Sequence, residues 1–275
     1  MSSILLKHRY SIARRMTQIS IIIFYILANT YGLKLLEGNL SSSILLDTVP
    51  LSDPFAVLQI FAAGVIVSAN ALIGAAIIFF LYAIFLGRAF CGWVCPMNIV
   101  TDTANWIRHK LKIDIQYIII TRNTRYWILG LTLILSVILG VGAFEYISPI
   151  SILHRGLIFG MGLGWTIVSA VFIFDLLILK EGFCGHICPL GAFNSLISRF
   201  SLIRVNHNAN KCTQCMECVA ICPEKQVLSV VTDKINSPIL SGECTNCARC
   251  VEVCEDNAMK WGLRFKYRSI QTKEV

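Results

Sequence analysis

The chain has 275 residues, of which 56% are hydrophobic and only 15% are charged, and its mean hydropathy is +0.68. Soluble globular domains carry about 25% charged residues, so this composition excludes an ordinary soluble enzyme and points to a bilayer. A formal net charge of +8 would suit nucleic acid, but the placement of the charges reads as membrane topology, and no nucleic-acid partner is expected.

Taken in chain order, four apolar stretches are long enough to cross a bilayer core of about 30 Å, which takes roughly 20 helical residues. The first runs from about Thr17 to Leu36, behind Lys7, Arg9, Arg14 and Arg15. It is too long for the apolar part of a signal peptide and shows no convincing cleavage site, so it reads as an uncleaved anchor. Phe55 to Leu86 is too long for one straight span. It divides into a short surface helix from Pro54 to about Ala63 and a span from about Ser68 to Leu86. The third stretch is about Tyr126 to Phe144 and the fourth about Met161 to Leu179. Gly160, Gly162 and Gly164 are spaced for close helix packing.

Lys and Arg number four before Thr17, one (Lys34) in the first loop with its helix end, and six from Arg88 to Arg125. The loop around Pro149 has one, Arg155, and the chain from Lys180 onward has twelve. The positive-inside rule then places both termini and the middle loop in the cytoplasm. The same excess predicts a basic surface facing anionic lipid.

The membrane part is written twice. Phe90-Cys91-Gly92-Trp93-Val94-Cys95-Pro96 follows the second span and Phe183-Cys184-Gly185-His186-Ile187-Cys188-Pro189 follows the fourth. Ser52-Asp53-Pro54 and Ser148-Pro149 echo each other in the outer loops. Each half is a helical hairpin with a cysteine pair at its cytoplasmic exit, and such repeats pack about a pseudo-two-fold axis. That geometry would gather Cys91, Cys95, Cys184 and Cys188 as a ligand set for a third redox centre, most simply another iron–sulfur cluster. Thiol–disulfide exchange pairs and a purely structural role are the alternatives.

After a linker from Arg199 to Asn210 come Cys212-x2-Cys215-x2-Cys218-x3-Cys222-Pro223 and Cys244-x2-Cys247-x2-Cys250-x3-Cys254. This is the bacterial ferredoxin run, whose fourth cysteine serves the other cluster. Cys212, Cys215, Cys218 and Cys254 are assigned to one [4Fe–4S] cluster, and Cys244, Cys247, Cys250 and Cys222 to the second. Structural zinc uses pairs separated by a longer spacer, and disulfides need an oxidising compartment; neither suits this pattern. The domains are 1–204 (membrane), 205–262 (ferredoxin) and 263–275 (basic tail).

Asp175 lies inside the fourth span, where a lone acid costs about 2.5–3.5 kcal/mol on insertion scales and must face the bundle interior. It reads as a proton acceptor on a quinol path, as a helix–helix hydrogen bond, or as a position shallow enough to reach water. Glu145, His154 and Arg155 at the outer end could hold quinol and release its protons, or form a wetted loop. Gln59 and Asn70 are weaker candidates in the first half. No C-x-x-C-H haem motif, mid-span histidine, G-x-G-x-x-G or Walker A lysine is found in the sequence, which argues against haem, flavin, nicotinamide and nucleotide chemistry.

Four spans, two F-C-G-x-x-C-P endings and a two-cluster C-terminal domain together resemble the NapH family of membrane ferredoxin-type proteins. MauN and the membrane core of NosR are its relatives, and the chain is too short for the flavin domain of the NosR type. The resemblance covers about Arg14 to Gly262. It implies a quinol dehydrogenase subunit of the bacterial inner membrane, working with a periplasmic NapG-like iron–sulfur protein and a c-type cytochrome that feed nitrate reductase. The expected fold is therefore an α-helical membrane protein of four spans in two hairpins, with a cytoplasmic α+β 2[4Fe–4S] domain. The expected function is quinol oxidation; the alternative is an accessory that matures or reactivates a periplasmic metalloenzyme with cytoplasmic electrons.

Overall fold

Two proline-led caps open the helices that follow the outer loops, and they show how local chemistry sets this fold. Asp53 accepts a hydrogen bond from the amide of Phe55 at 3.0 Å ahead of Pro54. Ser148 accepts one from the amide of Ser151 at 3.4 Å ahead of Pro149. A side-chain acceptor satisfies an orphan N–H, and proline at the first helical position has none to satisfy. The computed structural model describes residues 8–32, 36–113, 120–160 and 162–264. Lys7, Lys34 and Met161, which entered the readings above, and most of the basic tail, from residue 265 on, lie outside the described residues.

The first helix, α1, is Arg9–Tyr31. It starts earlier and stops earlier than its apolar stretch, because the chain then enters a three-stranded antiparallel meander. Its strands are β1 (Leu36–Gly38), β2 (Ser42–Leu45) and β3 (Val49–Ser52). Helix α2 (Pro54–Ala62) follows. It is the expected short helix, but one face is inside rather than at a surface: Phe55, Ala56, Val57 and Gln59 are buried. Phe55 stacks against Phe144 and Phe193 at 5.9 and 5.4 Å.

Helix α3 (Ala69–Phe80) runs on as a π-helical segment, Leu81–Leu86. Helix α4 is Met97–Lys110 and α5 is Thr124–Leu139, closed by Gly140 at φ +66°. After the short α6 (Ala143–Ile147) come α7 (Pro149–Phe159) and α8 (Gly164–Ile173), which again runs into a π segment, Phe174–Ile178. The amides of Gly87 and Leu179 bond to residues five positions back, Tyr82 and Phe174, at 2.8 and 3.1 Å. Such wide turns are uncommon and collect at functional sites. Gly160 and Gly162 do not pack helices: they sit at φ +99° and +45°, with open space where a Cβ would stand, and serve the turn into α8. Among the described residues, two helices, Arg9–Tyr31 and Ala69–Leu86, are long and apolar enough to cross a membrane.

Residue contacts divide the chain into two compact units. One contains Gln18–Phe79 and Cys95–Phe193. The other gathers the chain start up to Thr17, Phe80–Val94 and everything from Asn194. Helix α9 (Pro189–Ile197) begins in the former, enters the latter at Asn194 and hands over to β4 (Ile203–His207). Strand β4 is the middle of a sheet, antiparallel to both β5 (Ser237–Pro238) and β6 (Met259–Leu263). Val205, Leu228, Val231, Ile239 and Met259 form its core together with Cys218, Cys244 and Cys250. The arginines also differ from expectation. Arg14, Arg88, Arg108, Arg125 and Arg204 are buried rather than spread on a lipid-facing surface.

A Cβ on Gly242 would stand 2.1 Å from the Ser195 carbonyl oxygen, whereas Gly130, inside α5, has nothing within 4 Å. G242A is therefore expected to lower stability by about 1–3 kcal/mol through overpacking. G130A is expected to be neutral or stabilising by about 0.5–1 kcal/mol through helix propensity. Denaturant melts of the detergent-solubilised protein compare the two.

Candidate functional site

Two loops of the same shape carry the eight C-terminal cysteines. In the first, Gln214 and Met216 have φ +59° and +61°; in the second, Asn246 and Ala248 have φ +48° and +61°. Left-handed residues among right-handed neighbours turn successive backbone N–H groups toward one concavity, which suits an anion. None of the four is glycine, so each loop holds a strained backbone of the kind that collects at ligand clamps. The loops lead into two short helices packed on each other, α10 (Glu217–Ile221) and α11 (Arg249–Val253).

The thiols sort into groups across the two loops. Cys212, Cys254 and Cys215 act electrostatically on Cys218. Cys247 and Cys244 act on Cys222. A small pocket is lined by Cys222, Cys244, Cys247 and Cys250 together with Val205 and Ile239. Burial pushes the Cys218 and Cys244 thiols up to about 11 and Cys250 well above the ordinary thiol range. Iron takes thiolates, so loading these sites must expel protons. Among the described residues no three His, Cys, Asp or Glu side chains converge tightly enough for a single metal ion.

The first F-C-G-x-x motif is packed onto the second loop. A Cβ on Gly92 would sit 3.3 Å from Cβ of Cys247, so glycine allows the approach. The Trp93 indole donates to the Asn246 carbonyl at 3.0 Å. Asn246 Nδ2 donates in turn to the carbonyls of Leu86 and Ile203, both at 2.9 Å. Arg88, buried, donates to Glu224 at 2.6 Å and to the Glu243 carbonyl at 3.1 Å. Burial alone would lower its pKa, but the neighbouring Cys91 and Glu224 raise it. The end of an apolar helix is thereby tied directly to a thiol loop.

In the other unit Cys184 lies in the electrostatic reach of Asp175, Cys188, Cys95 and Glu181, and burial pushes its thiol well up. Its Sγ is 3.8 Å from the Thr101 hydroxyl, and Cys188 Sγ accepts from the Gly191 amide at 3.4 Å. The fourth rim cysteine, Cys91, belongs to the ferredoxin unit. Asp175 accepts from the Phe183 amide at 2.9 Å. Its backbone carbonyl and that of Leu176 receive Arg108, at 3.4 and 3.1 Å. Its Oδ2 is buried without a hydrogen-bond partner among the described residues, and the residue stands with the second cysteine motif rather than with Glu145.

The outer polar group is more built than its residues suggested. Glu145 accepts from the Ser41 hydroxyl at 2.5 Å and pairs with Arg155 at 2.8 Å. Asp53 has its carboxyl raised to about 7, by burial first and by Glu145 as well, against the lowering effect of the Phe55 amide. His154 is 1% exposed, meets Tyr25 edge-on at 4.8 Å, and has no hydrogen-bond partner on either ring nitrogen. Burial and Arg155 lower its pKa to about 4, so it is neutral at physiological pH. Gln59 is buried and accepts from the Phe144 amide at 2.9 Å, whereas Asn70 is exposed. Sequence reasoning missed Arg88, Glu224 and Asp53 as functional groups. Only the Ser-Asp-Pro echo between the outer loops drew attention to Asp53, and nothing local marks the other two.

These thiol loops define a ferredoxin-type iron–sulfur electron-transfer protein carrying apolar helices suited to membrane association. A family model described as "4Fe-4S binding domain" matches twice, at residues 68–114 and 158–206. A "4Fe-4S dicluster domain" matches residues 204–255. The chain is 44% identical over 238 residues to the methylamine utilization ferredoxin-type protein MauN of Methylorubrum extorquens, covering 86% of this chain and 83% of that one. It is 44% identical over 222 residues to the ferredoxin-type protein NapH of Haemophilus influenzae, covering 80% and 77%. With Escherichia coli NapH the identity is 40% over 233 residues, covering 84% and 81%. The chain belongs to this NapH and MauN family of ferredoxin-type proteins. No solved structure matches it.

Asp53 gives a pH test. Its folded pKa of about 7 lies above the ordinary 3.8, so the fold disfavours its charged form. Stability from this group is full below pH 4 and falls as pH rises from about 4 to about 7. D53N, which keeps a capping acceptor, is expected to flatten that part of the profile in thermal melts.

Proposed function

We propose that the protein is a membrane electron-transfer subunit that oxidises quinol and passes single electrons through iron–sulfur clusters toward a periplasmic oxidoreductase. The observation that carries this reading is the bonding of the Ala69–Leu86 exit to the second thiol loop through Arg88, Gly92, Trp93 and Asn246. The residues that follow this apolar helix are thereby bonded to a loop that would hold an acceptor cluster. Two clusters, on the eight ferredoxin cysteines as assigned from their spacing, are part of the reading, and the crossed grouping of the thiols supports them. When bound, they supply one-electron transfer. The thiols of Cys95, Cys184 and Cys188 support a third redox centre.

The topology proposed is four spans with both termini in the cytoplasm, as the charge count implies. Thr124–Leu139 and Gly164–Ile178 are shorter than the first two spans. Their apolar side chains nevertheless stay exposed, Ile138 at 72% and Val137 at 61%, with Trp127 and Trp165 exposed near their starts, as lipid contact and an interfacial belt require. The unpartnered, neutral imidazole of His154 supports a quinol contact, since it can accept from a hydroxyl. Asp53, protonatable near neutrality, and the Glu145–Arg155 pair beside it support proton release on that side. Nitrate reductase is the acceptor that the NapH resemblance implies. The methylamine-linked relative widens the class of acceptor, while the relay itself stays the same.

A deletion strain separates this reading from the accessory one. Electron supply leaves the periplasmic enzyme active with an artificial viologen donor but starved of quinol electrons; maturation leaves it inactive in both assays. H154L is expected to slow quinol-dependent cluster reduction by about 10²-fold while dithionite reduction is unchanged. An unchanged quinol rate would remove His154 from the site. Iron and sulfide analysis counts the clusters: about eight irons per chain mean two, and about twelve mean three.

A further inference from the structure

We infer that Arg204, seconded by Arg88, sets the cluster of the second thiol loop at the higher reduction potential of the two, so that electrons come to rest there. The inference rests on the two-cluster reading above. Arg204, in β4, is fully buried. Its guanidinium donates to the carbonyls of Ser241 at 2.7 Å, Ser201 at 3.4 Å and Ser198. The Ser241 carbonyl also takes the amide of Cys244, at 3.3 Å. Arg88 donates to the Glu243 carbonyl at 3.1 Å. Two buried guanidinium groups therefore hold the residues that lead into Cys244, and both favour its thiolate.

The first loop makes the same turn with the opposite charge beside it. Cys212 donates its amide to the Ala209 carbonyl at 3.2 Å. The charged group bonded to that loop is Asp256, which accepts from the Thr213 amide at 3.2 Å and hydroxyl at 2.6 Å. An added electron makes a cluster more negative, so a nearby cation raises its potential and a nearby anion lowers it. Burial acts the other way, and the second-loop thiols are the more buried. The guanidinium groups are buried with them, however, where water screens least, while Asp256 faces solvent. Glu224 balances much of the charge on Arg88. Among the described residues the acceptors of Arg204 are backbone carbonyls, so no bonded carboxylate offsets its charge.

Anaerobic, EPR-monitored redox titration of the full-length, iron-loaded protein tests this. R204Q is expected to lower the higher midpoint and leave the lower one in place, while R204K, which keeps the charge, stays near wild type. E224Q is expected to raise the higher midpoint by freeing the charge of Arg88, and D256N to raise the lower one. R204Q moving the lower midpoint, or neither, at full iron content overturns the inference. Should R204Q lose its clusters, E224Q decides: a rise in the higher midpoint supports the inference, and no movement overturns it. Wild-type protein that binds no iron overturns the two-cluster reading itself, and the inference with it.

Discussion

One buried guanidinium holds the end of an apolar helix to the thiol loops. Burying the Arg88 charge costs several kcal/mol, and only good geometry offsets that. The geometry is present: the Glu224 carboxylate at 2.6 Å and the Glu243 carbonyl at 3.1 Å. Glu224 is next to Pro223 at the end of the first cysteine run, and Glu243 is next to Cys244 at the start of the second. Arg88 therefore clamps both runs to the residue where the helix ends. Cooperation between the helix and the thiol loops depends on this clamp, and Gly92 and Trp93 seal the contact it makes possible.

The internal repeat is real in backbone and unequal in chemistry. Both halves have a proline-led cap, a helix that widens into i+5 turns, and a second wide turn bearing the cysteine motif. The same family model matches both. Yet three residues before the first motif cysteine stands Arg88, and three before the second stands Glu181. The first motif thus has Arg88 beside Cys91, whereas the second has Asp175 and Glu181 near Cys184 and Arg125 donating to the Gly185 carbonyl at 3.3 Å. A duplicated scaffold has kept its turns and changed its charges, as expected where the two halves handle electrons differently.

The ferredoxin cysteines were legible because ligand spacing is a local property of the chain. The echo of Ser52-Asp53-Pro54 in Ser148-Pro149 was visible as a repeat for the same reason, and the structure shows that both are helix caps. Helix limits were less legible. Apolar content continues past Tyr31 and past Gly140, but short strands take over after the first and a left-handed glycine stops the helix at the second. The meander β1–β3 was invisible because strands of three or four mixed residues carry no period to read. The buried arginines were misread as surface charge because burial is decided by residues far apart in the chain. Arg88 and Glu224 are 136 positions apart. The orphaned imidazole of His154 is likewise a tertiary fact, although its residue could be named from the sequence.

Anaerobic EPR of the purified full-length protein, before and after addition of a menaquinol analogue, tests the central claim most directly. The account predicts cluster signals that grow with quinol and vanish with a quinone-site inhibitor. Clusters that dithionite reduces normally but quinol leaves untouched would contradict it, and would favour electrons entering from a cytoplasmic donor.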